Sequence, residues 1–216
     1  NREAFDASFP ADFIAEGLDQ TRGWFYTLTV LSTALFDRPA FRNVIVNGLV
    51  LAADGRKMSK RLQNYPDPMA VIDAYGADAL RLCLIASPVV QAEDLSFSEE
   101  GVKHALRHLL LPWWNAYAFF VQYARVDNWQ PDPDAGADSD HLLDRWILSS
   151  LETLNAEVIS AMDEYELRRA VPPCVQFIED LTNWYIRRSR RRFWKSEDDE
   201  DKRQAYDTLY KVLLRL

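Results

Sequence analysis

Cysteine is scarce in this chain. Cys83 and Cys174 are the only two in 216 residues, and neither lies in a CxxC pattern. Thiols so few and so far apart in sequence do not favour a disulfide framework or a zinc site. We interpret both as small core residues, predict no structural metal in this chain, and expect a reducing, cytoplasmic setting.

Long apolar runs are also missing. No stretch approaches the ~18 residues that a membrane span needs. The sequence does not open with the charged and apolar regions of a secretory signal. We therefore expect a soluble protein without a membrane partner. Its hydrophobic content of 48% is enough for well-formed cores.

The first part of the chain mixes helical and strand patterns. Residues 22–36 read as a buried helix, and residues 43–52 as a buried strand rich in β-branched side chains. Residues 68–87 predict two helices separated by Gly76. Helix, strand and helix in this order indicate an α/β architecture with a parallel sheet. With one or two strands visible, we expect the rest of the sheet to come from outside this chain.

From about residue 98 the pattern is helical throughout. Asp140 is positioned to cap a helix whose apolar residues recur at spacings of three and four. A third helix is predicted over residues 166–194 and a fourth from about Asp198, which together indicate an all-α bundle. The domain prediction is therefore residues 1–97 and 98–216. The apolar stripe of the second helix comprises Leu143, Ile147, Leu151, Leu154, Val158 and Met162.

A cluster of positive charge stands out because the whole chain is acidic, with a formal charge of -8. The segment "DGRKMSKRLQNYPDP", residues 54–68, follows the predicted strand and precedes a helix, which is where α/β sheets bind ligands. Its cations repel one another unless an anion is present, and a polyphosphate would suit them. A solvated surface turn is the alternative. The four cations are Arg56, Lys57, Lys60 and Arg61.

Three blocks of sequence resemble one family. "KMSKR", residues 57–61, resembles the KMSKS loop of the class I aminoacyl-tRNA synthetases, with Arg61 where that signature has Ser. "EGLDQTRGWFYTLTVLS", residues 16–32, resembles the segment of the isoleucyl-tRNA synthetases that holds the aminoacyl-adenylate. "LTNWYIRRSRRRFW", residues 181–194, is similar to their anticodon-binding helix. The valyl and leucyl families carry different residues at "DQTRGWF".

The resemblance implies a fold and a reaction. The fold would be the second half of a Rossmann-type catalytic domain followed by a truncated helical anticodon-binding domain. The reaction would be ATP-dependent activation of isoleucine to isoleucyl-adenylate, with Mg²⁺ accompanying ATP as substrate, and transfer to tRNA(Ile) by a monomer. No HIGH motif and no editing domain occur in these residues. We therefore expect a piece of a longer enzyme that is inactive alone. The alternatives are a valyl or leucyl relative and a free-standing tRNA-binding module.

The resemblance also implies roles for individual residues of the first part. Lys60 would contact ATP and stabilise charge on the leaving pyrophosphate, and Lys57 would support the same phosphates, so both are catalytic candidates. Trp24 would form a wall of the amino-acid pocket. Without the family, the same residues read as an ordinary helix start and as core. The residues implied to bind the aminoacyl-adenylate are Glu16, Gly17, Asp19 and Gln20.

The last resembling block concentrates arginines beside aromatic residues. Arginine suits phosphate contacts, and aromatic rings suit base stacking, so the block predicts an RNA interface. The alternative is a solvated helix face that pairs with the acidic run at residues 197–201. The residues predicted to bind tRNA are Arg187, Arg188, Arg191 and Arg192.

Overall fold

Helices outnumber strands in the computed structural model, which describes residues 2–59, 61–131, 139–195 and 199–216. The chain divides into two compact units: unit 1 is residues 1–102 with 163–168, and unit 2 is residues 103–162 with 169–216. The strands lie in unit 1: β1 (Ala11–Gly17), β2 (Phe41–Asn47), β3 (Val50–Leu51) and β4 (Leu95–Ser96). The helices are α1 (Arg2–Ser8), α2 (Trp24–Phe36), α3 (Pro68–Tyr75), α4 (Ala77–Ile85), α5 (Glu99–Ala105), α6 (Leu111–Val126), α7 (Leu142–Asp163), α8 (Leu167–Glu179), α9 (Arg187–Trp194) and α10 (Asp199–Arg215).

Parallel pairing organises the strands of unit 1. β1 pairs with β2 from Ala11 opposite Phe41 to Gly17 opposite Asn47, and β3 pairs with β4. The predicted strand over residues 43–52 is therefore two strands rather than one. The break falls at Gly48, where an added Cβ would lie 1.9 Å from the carbonyl oxygen of Glu93. The chain passes so close to another backbone segment there that only glycine fits.

The burial expected of the first helix and of the strand is wrong for this chain. In α2, Phe25 and Ser32 are the buried residues, whereas Leu35 is 69% exposed. Strand β2 is likewise part-exposed along its length, with Val44 45% exposed. The apolar character is present as predicted, but the described elements of unit 1 leave these faces uncovered.

The two helices predicted over residues 68–87 are confirmed as α3 and α4. Asp67 caps α3 because its Oδ1 accepts a hydrogen bond from the Met69 amide at 3.0 Å, and Pro68 occupies the first turn. Gly76 separates the helices with a φ of 86°, a conformation that favours glycine. The charged segment thus ends at a well-defined helix start.

Unit 2 is the predicted helical bundle. Its core includes the fully buried side chains of Ile147, Tyr185 and Tyr206. Helices α8 and α9 are joined by a π-helical segment, Asp180–Ile186, within the single long helix that the sequence predicts. Within the described ranges, no helix combines the length and the apolar character that crossing a membrane requires.

One predicted helix cap in unit 2 is wrong. The sequence predicts that Asp140 caps α7. His141 does so instead, because its Nδ1 accepts a hydrogen bond from the Leu143 amide at 3.2 Å. Ser139 reinforces the start, since its Oγ accepts a hydrogen bond from the His141 amide at 3.2 Å.

Candidate functional site

The charged segment forms a tight turn after β3. Gly55, with a φ of 78°, donates its amide to the Ala52 carbonyl at 2.8 Å. Arg56 folds back onto Asp54 with its Nε 2.6 Å from Oδ2. These hydrogen bonds lower the pKa of Asp54 and raise the pKa of Arg56. Arg56 is therefore paired within the turn, which leaves its neighbours to provide the charge facing outward.

A side-chain hydrogen-bond bridge holds the next part of the segment. The Oδ1 of Asn64 accepts a hydrogen bond from the Ser59 amide at 2.9 Å, and its Nδ2 donates to the Lys57 carbonyl at 3.2 Å. The Lys57 side chain remains exposed. Lys60 lies outside the described residues. The Asn64 side chain therefore holds the backbone that precedes Lys60 in place. The exposed Lys57 ammonium can contact an anion.

Met58, next to Lys57, is half-buried in apolar surroundings. It lines a cavity of about 200 Å³ together with residues of β3, α3 and α4. This fits its prediction as the apolar anchor of the loop. The other lining residues are Val50, Tyr65, Pro66, Pro68, Val71, Leu80, Leu84 and Phe97.

The residues predicted to bind an adenylate lie together at the carboxyl end of β1. Glu16 and Gly17 end the strand, and Asp19 and Gln20 lie in the 3₁₀ turn Leu18–Arg22 that follows. Gln20 caps α2, because its Oε1 accepts a hydrogen bond from the Trp24 amide at 2.9 Å. The carboxyl end of a parallel strand is the usual ligand side of such a sheet.

Two glycines of this turn lie against the side chains of Asp19 and Gln20, and Trp24 is exposed. An added Cβ at Gly17 would lie 2.6 Å from the Asp19 Oδ1, and one at Gly23 would lie 2.5 Å from the Gln20 Oε1. Trp24 is 52% exposed, so in this chain it is not core. Among residues 2–59, 61–131, 139–195 and 199–216 there is no group of three or more His, Cys, Asp or Glu side chains that could hold a metal.

The arginine-rich segment, residues 184–195, presents two faces that differ in character. The exposed face carries Arg187, Arg188, Arg190 and Arg191. The Arg188 guanidinium lies 4.5 Å above the Trp184 ring, and Arg190 lies 5.8 Å from the Phe119 ring. Trp184 is itself 50% exposed, so this face combines free positive charge with an accessible aromatic surface.

Arg192 lies on the other face, which differs from the position we expected. It is 8% exposed and forms a bidentate ion pair with the fully buried Asp144 at 2.6 and 2.9 Å. Its Nε donates to Asp201 at 2.7 Å. Burial alone would lower the pKa of Arg192, but the hydrogen bonds that Arg192 donates to Asp144 outweigh it and the pKa is raised. This side chain faces the core, not the solvent.

The acidic run that offered an alternative partner is thus engaged at one end. Asp201 pairs with Arg192, and Glu200 pairs with Arg203 at 2.7 Å. Glu197 and Asp198 lie outside the described residues. Pairing with the acidic run, the alternative to RNA binding, therefore holds for Arg192. It does not decide what the exposed arginines bind.

Sequence reasoning missed the buried partners of Arg192. Asp144 and Tyr185 are fully buried and hydrogen bonded to each other at 2.9 Å. Asp144 interrupts an apolar stripe next to Leu143, and Tyr185 lies seven positions before Arg192 on the same helical face. These positions were the only sequence indication that the two residues meet Arg192. An isolated Asp on an amphipathic helix is more often exposed, so the indication was weak.

Family models match both parts of the chain. Residues 1–96 match the tRNA synthetases of class I (I, L, M and V), and residues 144–216 match the anticodon-binding domain of tRNA ligases. The two matches correspond to the α/β part and to most of the helical bundle.

Curated relatives resemble the whole chain. It is 61% identical to an isoleucine–tRNA ligase of Protochlamydia amoebophila over 100% of its length, and 57% identical to one of Treponema denticola over 99%. An isoleucine–tRNA ligase of Chlamydia trachomatis is 60% identical over 98%. The chain spans 21% of the first of these relatives and 20% of the other two.

Solved structures share the fold. A methionyl-tRNA synthetase of Mycobacterium tuberculosis bound by methionyl-adenylate superposes with a TM-score of 0.72 at 24% identity, covering 97% of this chain and 40% of that one. A LeuRS of Agrobacterium radiobacter, in a ternary complex with tRNA and LeuAMS, gives 0.67 at 19% identity, covering 95% and 26%. At these identities the likeness concerns the fold alone.

Proposed function

Because the chain belongs to the class I tRNA synthetases, we propose that it is the portion of an isoleucine–tRNA ligase that carries the second half of the catalytic domain and most of the anticodon-binding domain. The whole protein would activate isoleucine with ATP and Mg²⁺ and transfer it to tRNA(Ile). The observation that carries this proposal is the identity of 57–61% to isoleucine–tRNA ligases along essentially the full chain.

The fastened loop supports a role in handling phosphates. Lys57 is exposed beside a backbone that Asn64 holds in place, and Lys60 follows in the same segment. We assign Lys60 to ATP and to the charge that develops on the leaving pyrophosphate, with Lys57 as a second cation. Phosphoryl chemistry of this kind depends on positioned charge more than on covalent catalysis.

The strand–turn–helix at residues 16–24 supports a role in holding the adenylate. Glu16 and Asp19 offer exposed carboxylates that can accept hydrogen bonds from ribose hydroxyls or an α-ammonium. Gly17 allows close backbone approach, and the Gln20 amide is held by its bond to the Trp24 backbone. The exposed Trp24 ring would provide an apolar wall for the isoleucine side chain.

The exposed face of the arginine-rich segment supports a role in RNA binding. Arg187, Arg188 and Arg191 would contact phosphates, and the accessible Trp184 ring could stack on a base. We assign no RNA contact to Arg192, because its guanidinium is buried among carboxylates. We also retain the domain division at residues 97 and 98. A cytoplasmic location and a monomeric state stay predictions.

The test is amino-acid-dependent exchange between ATP and pyrophosphate by the full-length protein that contains this chain. We expect the highest kcat/KM with isoleucine among isoleucine, valine and leucine, and charging of tRNA(Ile). A preference for valine or leucine would favour the related synthetases instead. Tight tRNA binding without exchange with any amino acid would indicate an RNA-binding module.

A further inference from the structure

The guanidinium of Arg192 connects three separate segments of unit 2. Nη1 and Nη2 donate to the two carboxylate oxygens of Asp144, in the first turn of α7, at 2.6 and 2.9 Å. Nε donates to the carboxylate of Asp201, in the first turn of α10, at 2.7 Å, and Nη2 also reaches the Asp201 carbonyl at 3.1 Å. Arg192 itself lies on α9. One side chain therefore joins α9 to the starts of α7 and α10.

The Asp144 carboxylate accepts as many hydrogen bonds as its two oxygens allow. Besides the two bonds from Arg192, Asp144 accepts one from the Tyr185 hydroxyl at 2.9 Å and one from the Ser139 hydroxyl at 2.7 Å. Asp144 is fully buried. A carboxylate in that position accepts at most about four hydrogen bonds, so its geometry is fully determined by its partners. Loss of one partner would leave a buried charge incompletely paired.

The neighbouring arginines of α9 differ from Arg192 in their exposure. Arg191 precedes Arg192 by one position, about 100° around the helix, and Arg188 precedes it by four, one turn earlier and about 40° around. Both side chains are exposed, whereas Arg192 is buried. Ser189, Arg192 and Phe193 form the buried side, and Ser189 is 0% exposed. Arg192 is thus one of three side chains that define the buried face of α9, and the one that is held by ion pairs.

Stability alone does not account for such a network. Buried ion pairs are often no more stabilising than apolar residues of similar volume, and their best-attested use is to specify one arrangement. We propose that Arg192 is a positioning residue for RNA binding, whose buried fork holds α9 in the rotation that presents Arg188 and Arg191 to tRNA. This inference rests on the proposed function.

The test compares Arg192→Lys with the unaltered full-length protein in tRNA(Ile) binding at several salt concentrations. Lysine keeps the charge but not the planar fork that bonds two carboxylates at once. We expect affinity to fall roughly tenfold, as when one charged contact is lost. We also expect the slope of log K against log salt to become shallower although the net charge is unchanged, because exposed arginines leave their phosphates. Isoleucine-dependent pyrophosphate exchange should stay within about twofold.

Leu209→Ala is the matched control, since Leu209 is a fully buried residue of the same unit without a polar contact to the arginine-rich segment. It should lower Tm while leaving the salt slope intact. If Arg192→Lys also lowers Tm and leaves the slope intact, then Arg192 serves stability only and the inference is overturned. If the Lys variant does not fold, Asp201→Ala deletes the carboxylate that accepts from Nε, keeps the pair with Asp144, and should show the same slope change. Failure of the unaltered protein to bind tRNA would refute the proposed function itself.

Discussion

At the scale of single residues, different side chains of the charged loop hold its backbone and carry its positive charge. Asn64 bonds the backbone of Ser59 and Lys57, and Met58 lines an apolar cavity, while the Lys57 side chain stays exposed. The loop thus holds its backbone in place with one polar and one apolar contact. Positioned charge of this kind is most useful where charge develops during the reaction.

Lys60→Ala in the full-length protein should lower kcat for adenylate formation and leave the KM for isoleucine nearly unchanged. A contact that strengthens in the transition state affects mainly kcat, at a cost of about 2–4 kcal/mol. Pre-steady-state adenylate formation measures this. Arg81→Ala, which removes an exposed cation of α4, is the control and should have little effect. An unchanged kcat in the Lys60 variant would refute its assignment to ATP.

Met58→Ala should impair the same step by loosening the loop. Removing the side chain enlarges the cavity of about 200 Å³ that Met58 lines, so the loop loses its apolar contact. We expect lower kcat for adenylate formation without loss of the protein's overall folding. Leu62→Ala is the matched control, because Leu62 belongs to the same turn and is 59% exposed. Equal effects of the two changes would argue against an anchoring role.

At the scale of elements, the exposed face of the arginine-rich segment is expected to bind tRNA. Arg188→Gln with Arg191→Gln should raise the KM for tRNA and reduce the salt slope by up to about two units, since each phosphate contact releases counterions. Amino-acid activation should be nearly unaffected. Aminoacylation kinetics measure the KM for tRNA, and filter binding at several salt concentrations measures the slope. Pyrophosphate exchange measures amino-acid activation.

The control for that pair is Arg125→Gln with Arg145→Gln, which removes two exposed arginines from α6 and α7. It changes the net charge by the same amount. A similar loss of tRNA affinity in both double variants would mean that overall charge, rather than this face, governs binding.

Acid should weaken the contact between the end of α6 and α10. Burial would raise the pKa of Asp127, but hydrogen bonds from Lys202 and Tyr206, at 2.7 and 2.5 Å, outweigh it and lower the pKa below its usual range. A carboxyl with a lowered pKa in the folded state stabilises the fold above its unfolded pKa and loses that effect as pH falls through the folded value. Urea unfolding of the chain at pH 6 and pH 3 should show this loss.

Asp127→Asn provides the comparison for the acid effect. It should lower the free energy of unfolding at pH 6 and make the decline toward pH 3 less steep, because the titrating group is gone. The same steepness in both proteins would assign the acid sensitivity to other carboxyls.

The sequence predicted elements with strong local signals and missed those that depend on distant partners. Ile147, Leu151 and Leu154, in the middle of the predicted stripe, are buried, because an amphipathic period is a property of the helix alone. Leu143 and Val158 are half-buried, and Met162 at the end of the stripe is exposed. Strand β1 was not predicted, since "ADFIAEG" has weak alternation and is defined by pairing with β2. Arg192 was misplaced because its burial depends on Asp144, forty-eight positions away.

At the scale of the whole molecule, the 216 residues should not form isoleucyl-adenylate on their own. They contain no HIGH motif, and they span 21% of the Protochlamydia relative. Pyrophosphate exchange by the purified chain should therefore be absent, while the full-length protein is active. Robust exchange by the chain alone would show that its residues form a complete ATP site.

The strands β1 and β2 pair with each other and with no third strand among the described residues. Each therefore has an open edge of amide and carbonyl groups beside exposed side chains such as Phe13 and Val44. Open edges of this kind favour pairing with another copy, so the purified chain should self-associate as its concentration rises. Sedimentation velocity would detect this. Val44→Lys, a charge near the edge, should keep the chain monomeric and would make it easier to handle in solution.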